Sequence, residues 1–265
     1  MGTGESGEMM GRHVLVTGGG KGIGRAIAFR LAQDGANVSL LGRDRAALDQ
    51  TSADINETTA GRAMAAVADL CDPATIGDAV DHATQAFGAA DSLVNNAGTS
   101  ASAPFLKLTD ADFERMADVN VMGTVRSIRA VLPAMIEANF GRIVNISSTA
   151  GQVGYAYVSH YCAAKHAVIG LTRSLALELA GTAVTVNAVC PGFTDTDMTT
   201  RSIANITATT GRTAEQARKD LARFNPQRRL IDPDEVAAAV HFLLGRDASA
   251  FTGQALAVAG GEVMA

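Results

Sequence analysis

The sequence predicts one doubly wound α/β domain with about seven parallel strands and helices on both faces. Three observations carry that prediction. Short apolar runs of strand length recur along the 265 residues. Segments with helical periodicity separate them. The six prolines are scattered, and no linker, repeat or low-complexity block divides the chain. Strands joined through helices require right-handed crossovers, which give a parallel sheet covered on both sides.

The elements follow in order. Strand-type runs lie at His13–Thr17, Asn37–Leu41, Ala63–Val67, Ser92–Asn95, Arg142–Ser147, Val184–Cys190 and Ala255–Val258. Between them, apolar residues recur at helical spacing, as at Ile23, Ile27 and Leu31, or at Val168, Leu171, Leu175 and Leu179. Residues 1–11 read as a flexible tail and 12–265 as the domain. A Thr- and Arg-rich stretch of about forty residues between Cys190 and Pro233 breaks the rhythm. In such a sheet, an insertion after a strand's carboxyl end is where a lid belongs, here about 194–231.

Composition excludes several functions. With 47% hydrophobic residues the chain folds rather than remaining disordered. A net charge of −5 argues against nucleic-acid or anionic-membrane partners, which need clustered positive charge. No apolar run reaches membrane-spanning length. Cys71, Cys162 and Cys190 are an odd number, far apart and without zinc spacing, so a reducing cytoplasmic location and no metal site are expected. Met1-Gly2 with Ser6 fits a loose myristoylation pattern, but a glycine- and serine-bearing end is ordinarily a plain tail.

The first strand runs into Thr17-Gly18-Gly19-Gly20-Lys21-Gly22-Ile23-Gly24 and then a helix. A tight glycine turn at a helix N-terminus presents backbone N–H groups to a pyrophosphate. The strict GxGxxG spacing fails, and so does the P-loop, because Gly22 follows Lys21 where Ser or Thr is required. What remains is GxxxGxG, from Gly18, Gly22 and Gly24.

This motif resembles the cofactor turn of the short-chain dehydrogenase/reductases, and further motifs follow in that family's order. They are Asp69-Leu70, Asn95-Asn96-Ala97-Gly98, Asn120, Ser148, the YxxxK of Tyr161 and Lys165, and Pro191-Gly192. The resemblance spans residues 12–261, and within the family it lies nearest to bacterial 3-oxoacyl-thioester reductases and polyketide ketoreductases. It implies a Rossmann-type domain that binds NAD or NADP, with Asp69 meeting the adenine and Lys165 the nicotinamide ribose. Thr196 would meet the carboxamide, with Thr194 also in the cofactor site. It also implies a homotetramer or dimer, with Ala101–Gly123 and Tyr155–Leu179 as contacts.

Two cations choose between the cofactors. An acid ending the second strand accepts from the ribose of NAD, whereas a base meets the 2′-phosphate of NADP. Here Gly42 occupies the acidic position and Arg43 follows, with Lys21 in the glycine turn, so NADP is favoured. Asp44 lies in the window quoted for NAD binders, but it reads as the N-cap of the next helix.

The tetrad implied by the resemblance is Asn120, Ser148, Tyr161 and Lys165. Tyr161 and Lys165 are four apart, on one helix face. A nearby ammonium, joined by the positive charge of oxidised nicotinamide, favours phenolate and lowers the tyrosine pKa, so Tyr161 would exchange a proton with the substrate oxygen. Ser148 would stabilise the charge developing on that oxygen. Asn120 would fix a water linking Lys165 to solvent. Gln152, Tyr155, His160 and Phe193 complete the expected substrate pocket, while Cys162 reads as a packed thiol.

Residues Asp197–Ile231 carry seven cations and three anions, which reads either as a solvated helix face or subunit contact, or as a positive lid suited to an anionic handle such as coenzyme A phosphates or a carrier-protein surface. The small-molecule partner expected is therefore a ketone or 3-oxoacyl thioester and its alcohol. An NAD-linked dehydrogenase of a cyclic or aryl alcohol, or of a hydroxyacyl thioester, is the alternative. A non-catalytic cofactor sensor is a remote one, since such a protein should show a damaged tetrad.

Overall fold

A computed structural model describes residues 7–264; the acylation pattern at Met1-Gly2 lies outside them. Seven strands form one parallel sheet in the order β3-β2-β1-β4-β5-β6-β7. They are β1 (His13–Thr17), β2 (Asn37–Gly42), β3 (Arg62–Val67), β4 (Ser92–Asn95), β5 (Gly141–Ile146), β6 (Val184–Pro191) and β7 (Ala255–Val258). The strand order reverses between β1 and β4, and the crevice at their carboxyl ends is where such sheets bind ligands.

Helices cover both faces. α1 (Gly22–Gln33), α2 (Arg45–Thr58) and α9 (Pro233–Leu244) lie on one face, and α3 (Pro73–Phe87), α5 (Gly123–Glu137) and α6 (Ser159–Glu178) on the other. This explains why β1, β4, β5 and β6 are buried along their whole length. Caps set the starts. Asp72 accepts from Ala74 N before Pro73, and Asp232 forms a reciprocal capping box with Glu235 before Pro233.

Two expectations change. Of the segment read as a tail, residues 7–11 are docked. Met9 is fully buried in the α1–α9 layer, and its N–H donates to Asp34 Oδ2 at 3.2 Å. The insertion is not a plain loop but carries α7 (Asp197–Thr210) and α8 (Ala214–Ala222). Threonines hide α7 from a reading by periodicity. Six of its fourteen residues are Thr or Ser, which favour local side-chain bonding over helix. α8 announces itself only by its Thr213–Gln216 capping box.

Candidate active site

Along the carboxyl edge of the sheet runs a cleft of about 1960 Å³, bounded on its outer side by the lid. Its nucleotide half is the glycine turn. Gly18 and Gly22 take left-handed φ of 67° and 52°, which favours glycine. Asn96 fixes the turn: its side-chain amide donates to Thr17 O at 3.0 Å and Gly18 O at 3.2 Å. The Thr17 hydroxyl in turn accepts from the backbone N–H groups of Asn96 and Ala97, both at 3.0 Å.

A dinucleotide fits this edge. The bare Cα atoms of Gly18, Gly22, Gly98 and Gly192 line the cleft, together with Ile23, Asp69, Leu70 and Ala97. A Cβ at Gly98 would come within 2.6 Å of Asn120 Oδ1. Three residues expected at the cofactor lie outside the lining. Thr17 is buried beneath the turn, Gly20 packs against Ala47 of α2, and Gly24 sits under Gly18 and Asn96. Thr17 and Gly24 are buried and shape the turn from behind, whereas Gly20 is half-buried where the turn meets α2.

Of the two cations expected at a phosphate, Lys21 is paired with Asp44 at 2.8 Å. That hydrogen bond raises the Lys21 pKa and lowers that of Asp44. Asp44 also accepts from Ala47 N at 3.1 Å, so it is the N-cap of α2 as read from the sequence. Arg43 lines the cleft, is exposed, and belongs to no ion pair among the described residues.

The four tetrad residues all line the cleft. A buried polar chain seats α6 against the sheet. Asn95 donates to Asn145 Oδ1, and Asn145 to Thr172 Oγ1, each at 2.9 Å. α6 thereby presents Tyr161 and Lys165 at the ends of β4 and β5. The Lys165 ammonium is buried and donates to Ile146 O at 2.8 Å, with Nζ 5.8 Å from the Tyr161 ring centre. Ser148 starts the turn after β5, its hydroxyl accepting from Ala150 N at 3.1 Å. Asn120 lies in a π-helical turn, Asp118–Met122, between α4 (Asp110–Ala117) and α5; such bulges recur at functional sites.

The electrostatics differ from the expectation in one respect. Burial pushes the Tyr161 phenol up to about 12, opposed by the adjoining Ser148 hydroxyl. The same burial pulls Lys165 down to about 8. In the cofactor-free chain, desolvation is the largest influence on the phenol. Asn120 is also more committed than expected. Its amide donates to Thr99 O and Met116 O, and its oxygen accepts from Thr99 N at 3.2 Å. One lone pair of that oxygen is left for a water.

Tyr155 and Phe193 line the cleft, but Gln152 and His160 do not. Gln152 turns to the sheet and donates to Ala255 O at 3.0 Å. His160 is buried against Phe113, 5.8 Å between ring centres, because α6 directs adjacent residues to different faces.

The lid is not a positive surface. Arg212 and Arg223 pair with Asp220, Arg218 with Asp195, Lys219 with Glu215 and Arg229 with Glu235. Two of those acids lie just outside the stretch counted above; over residues 195–235 cations and anions are equal. The lid's two ends are pinned by a bridge between Thr194 and Ile231, where Ile231 N donates to Phe193 O and Asp195 N to Ile231 O, both at 2.9 Å. Thr194 and Thr196 line the cleft at this stem, and Thr196 rests against Gly22.

Sequence reasoning missed Phe224 and Glu262. Phe224 stands from the lid over Phe193 and Tyr155, with ring centres 5.4 and 5.5 Å away. Glu262 enters from beyond β7 on a turn in which Gly260 and Gly261 both have positive φ. The Gly-Gly-Glu triplet was the available signal.

Comparison with known proteins places the chain. The profile described as "short chain dehydrogenase" matches residues 12–207. The chain belongs to the short chain dehydrogenase family. It is an oxidoreductase of NAD(P)-dependent type. It is 40% identical over 252 residues to the granaticin polyketide synthase putative ketoacyl reductase 1 of Streptomyces violaceoruber, covering 93% of this chain and 91% of that one. It is 36% identical over 253 residues to the levodione reductase of Leifsonia aquatica, covering 95% and 94%. An actinorhodin polyketide ketoreductase solved with NADPH superposes with a TM-score of 0.90 at 36% identity, covering 95% and 97%.

Proposed function

We propose that this family member reduces a ketone to a secondary alcohol with NADPH, its substrate a 3-oxoacyl thioester or similar β-keto compound. The observation that carries the reading is the meeting of Tyr161, Ser148 and Lys165 in one cleft whose nucleotide end bears Arg43, which is in no ion pair among the described residues. The nicotinamide, when bound, supplies the hydride.

The protein's residues do the rest. Tyr161, held protonated by burial, donates its phenolic proton to the substrate oxygen as negative charge grows there. Ser148 donates a hydrogen bond to the same oxygen and so stabilises that charge. Lys165, fixed by Ile146 O, faces the tyrosine ring and would replenish its proton through a water that Asn120 Oδ1 would hold. Arg43 receives the 2′-phosphate, Asp69 the adenine, and the Gly18–Gly24 turn the pyrophosphate. Related names among polyketide ketoacyl reductases support the substrate class.

A second reading has its own observation. Lys21 is engaged by Asp44, so of the two cations expected at a 2′-phosphate only Arg43 stands outside an ion pair among the described residues, which favours NAD, the cofactor of the alternative dehydrogenase of a cyclic or aryl alcohol. The test is turnover of β-ketoacyl thioesters, cyclic ketones and their alcohols with each cofactor. We expect NADPH-dependent reduction. Preference for NADH would select the second reading, and no turnover of any ketone or alcohol would overturn both.

A further inference from the structure

One cation of the lid differs from its neighbours. Of the seven over Asp197–Ile231, five pair with acids of the lid or just beside it. Arg201 and Arg228 belong to no ion pair among the described residues, and of these two only Arg201 lines the cleft. Asp197 stands four residues before Arg201 on α7, an arrangement that ordinarily suits an ion pair, yet the two do not pair. Arg201 is exposed, so its planar fork of donors is open to water or to a ligand.

The course of α7 fixes where that side chain stands. The helix starts against the glycine turn: a Cβ at Gly22 would lie 3.2 Å from Cγ2 of Thr196, the residue before α7. Its middle is tied to the loop after β4, where Asn205 donates to Ser102 Oγ at 2.9 Å. Arg201 and Asn205 are four apart and share one helix face, so Arg201 stands between those two anchors. All four of these residues, Ser102, Thr196, Arg201 and Asn205, line the cleft. The charge of Arg201 is also felt in the glycine turn. Lys21, whose pKa is raised chiefly by its bond to Asp44, is pulled the other way by Arg201.

These two like charges repel while nothing lies between them, and an anion placed there attracts both. The nucleotide end of the cleft is where phosphates are seated, on the N–H groups of the glycine turn. A guanidinium fits two phosphate oxygens at once, which an ammonium cannot do.

We propose that Arg201 is a cofactor-binding residue contributed by the lid: its guanidinium donates to a phosphate group of the bound dinucleotide, from the side opposite the glycine turn. The inference concerns the NAD(P) site and holds whichever ketone or alcohol the enzyme takes.

Fluorescence titration of the protein with NADPH and with NADH, without any ketone, tests it. Arg201→Ala should weaken NADPH binding about tenfold, as expected for losing a hydrogen bond between charged groups, and Arg201→Lys should weaken it less. The same loss for NADH assigns the contact to the diphosphate that both cofactors carry, whereas a loss for NADPH alone assigns it to the 2′-phosphate. A contact between charges is screened by salt, so wild-type affinity should fall more steeply than that of Arg201→Ala as sodium chloride is raised. Thermal melting reports whether each variant is folded.

Unchanged affinity of Arg201→Ala for both cofactors would overturn the proposal. So would an equal loss in Arg201→Ala and Arg201→Lys with the salt dependence of the wild type, since that pattern belongs to lid packing. A protein that binds cofactor through Arg201 yet turns over no ketone or alcohol would leave this proposal standing and sink the catalytic reading.

Discussion

The tetrad floor and the lid face each other across one cleft, and they are built on opposite physics. On the floor, Lys165 and Asn120 are buried, and the Asn95–Asn145–Thr172 chain ties α6 to two strands. In the lid, five basic residues spend their charge on local acids and most of the surface is exposed. Position on the floor is enforced by desolvation and close packing, where small displacements are expensive. Position in the lid rests on exposed ion pairs, each contributing little. The floor residues are therefore held fixed, while the lid remains adjustable between its two pinned ends.

The comparison can be broken first at the floor. Tyr161→Phe should lower kcat by about 10²–10⁴-fold, the range of general acid catalysis, with NADPH still bound. Single-turnover kinetics with fluorescence of bound NADPH would separate the two; retained turnover would remove the phenol from the reaction. Ser148→Ala should cost about 10²–10³-fold in kcat, as for loss of one donor to a developing oxyanion. A change in KM alone would make Ser148 a binding group instead.

At the nucleotide end, Arg43→Asp should lower kcat/KM for NADPH relative to NADH by about tenfold or more, since a charge-assisted bond is replaced by repulsion. An unchanged ratio would mean that Arg43 does not face the phosphate.

A subtler effect concerns the cost of burying Lys165. Its pKa in the folded chain is pulled down to about 8 from 10.5, so between these values the unfolded chain binds more protons. Stability from this group therefore rises with pH through that window, and the burial penalty is fully present below pH 8. Cofactor-free Lys165→Met should melt about 2–4 °C above wild type at pH 7, with the gain fading as pH approaches 10.5. A gain independent of pH would assign the effect to packing.

The smallest effect belongs to the lid. Arg218→Ala breaks the exposed pair with Asp195 and should cost less than about 1 kcal/mol in stability, with less again at high salt. A larger loss in a denaturant titration would show that the lid is a structural element after all.

How much of this was legible in the sequence depends on what carries the signal. All seven strands are visible as apolar runs, because strands covered on both faces need continuous hydrophobicity. The glycine turn is legible through spacing, and the tetrad through the family resemblance that the ordered motifs carry. Asp44 is legible as a cap because its partner Ala47 is three residues away. His160 is assigned to the pocket by adjacency to Tyr161 and Gln152 by its place in the stretch before it, and neither decides which way a side chain faces.

By itself, then, the sequence determined the layered sheet, the crevice at its reversal point and the residue types gathered there. Those follow from local periodicity and from groups close together along the chain. Tertiary structure alone decided the rest. It set Asp195 and Glu235 against lid arginines that a count over Asp197–Ile231 leaves unbalanced. It put Lys21 on Asp44, 23 residues away, and brought Glu262 to Tyr155, 107 residues away. It also raised the phenol and lowered the ammonium, because desolvation depends on what surrounds a group in space and not on its neighbours in sequence.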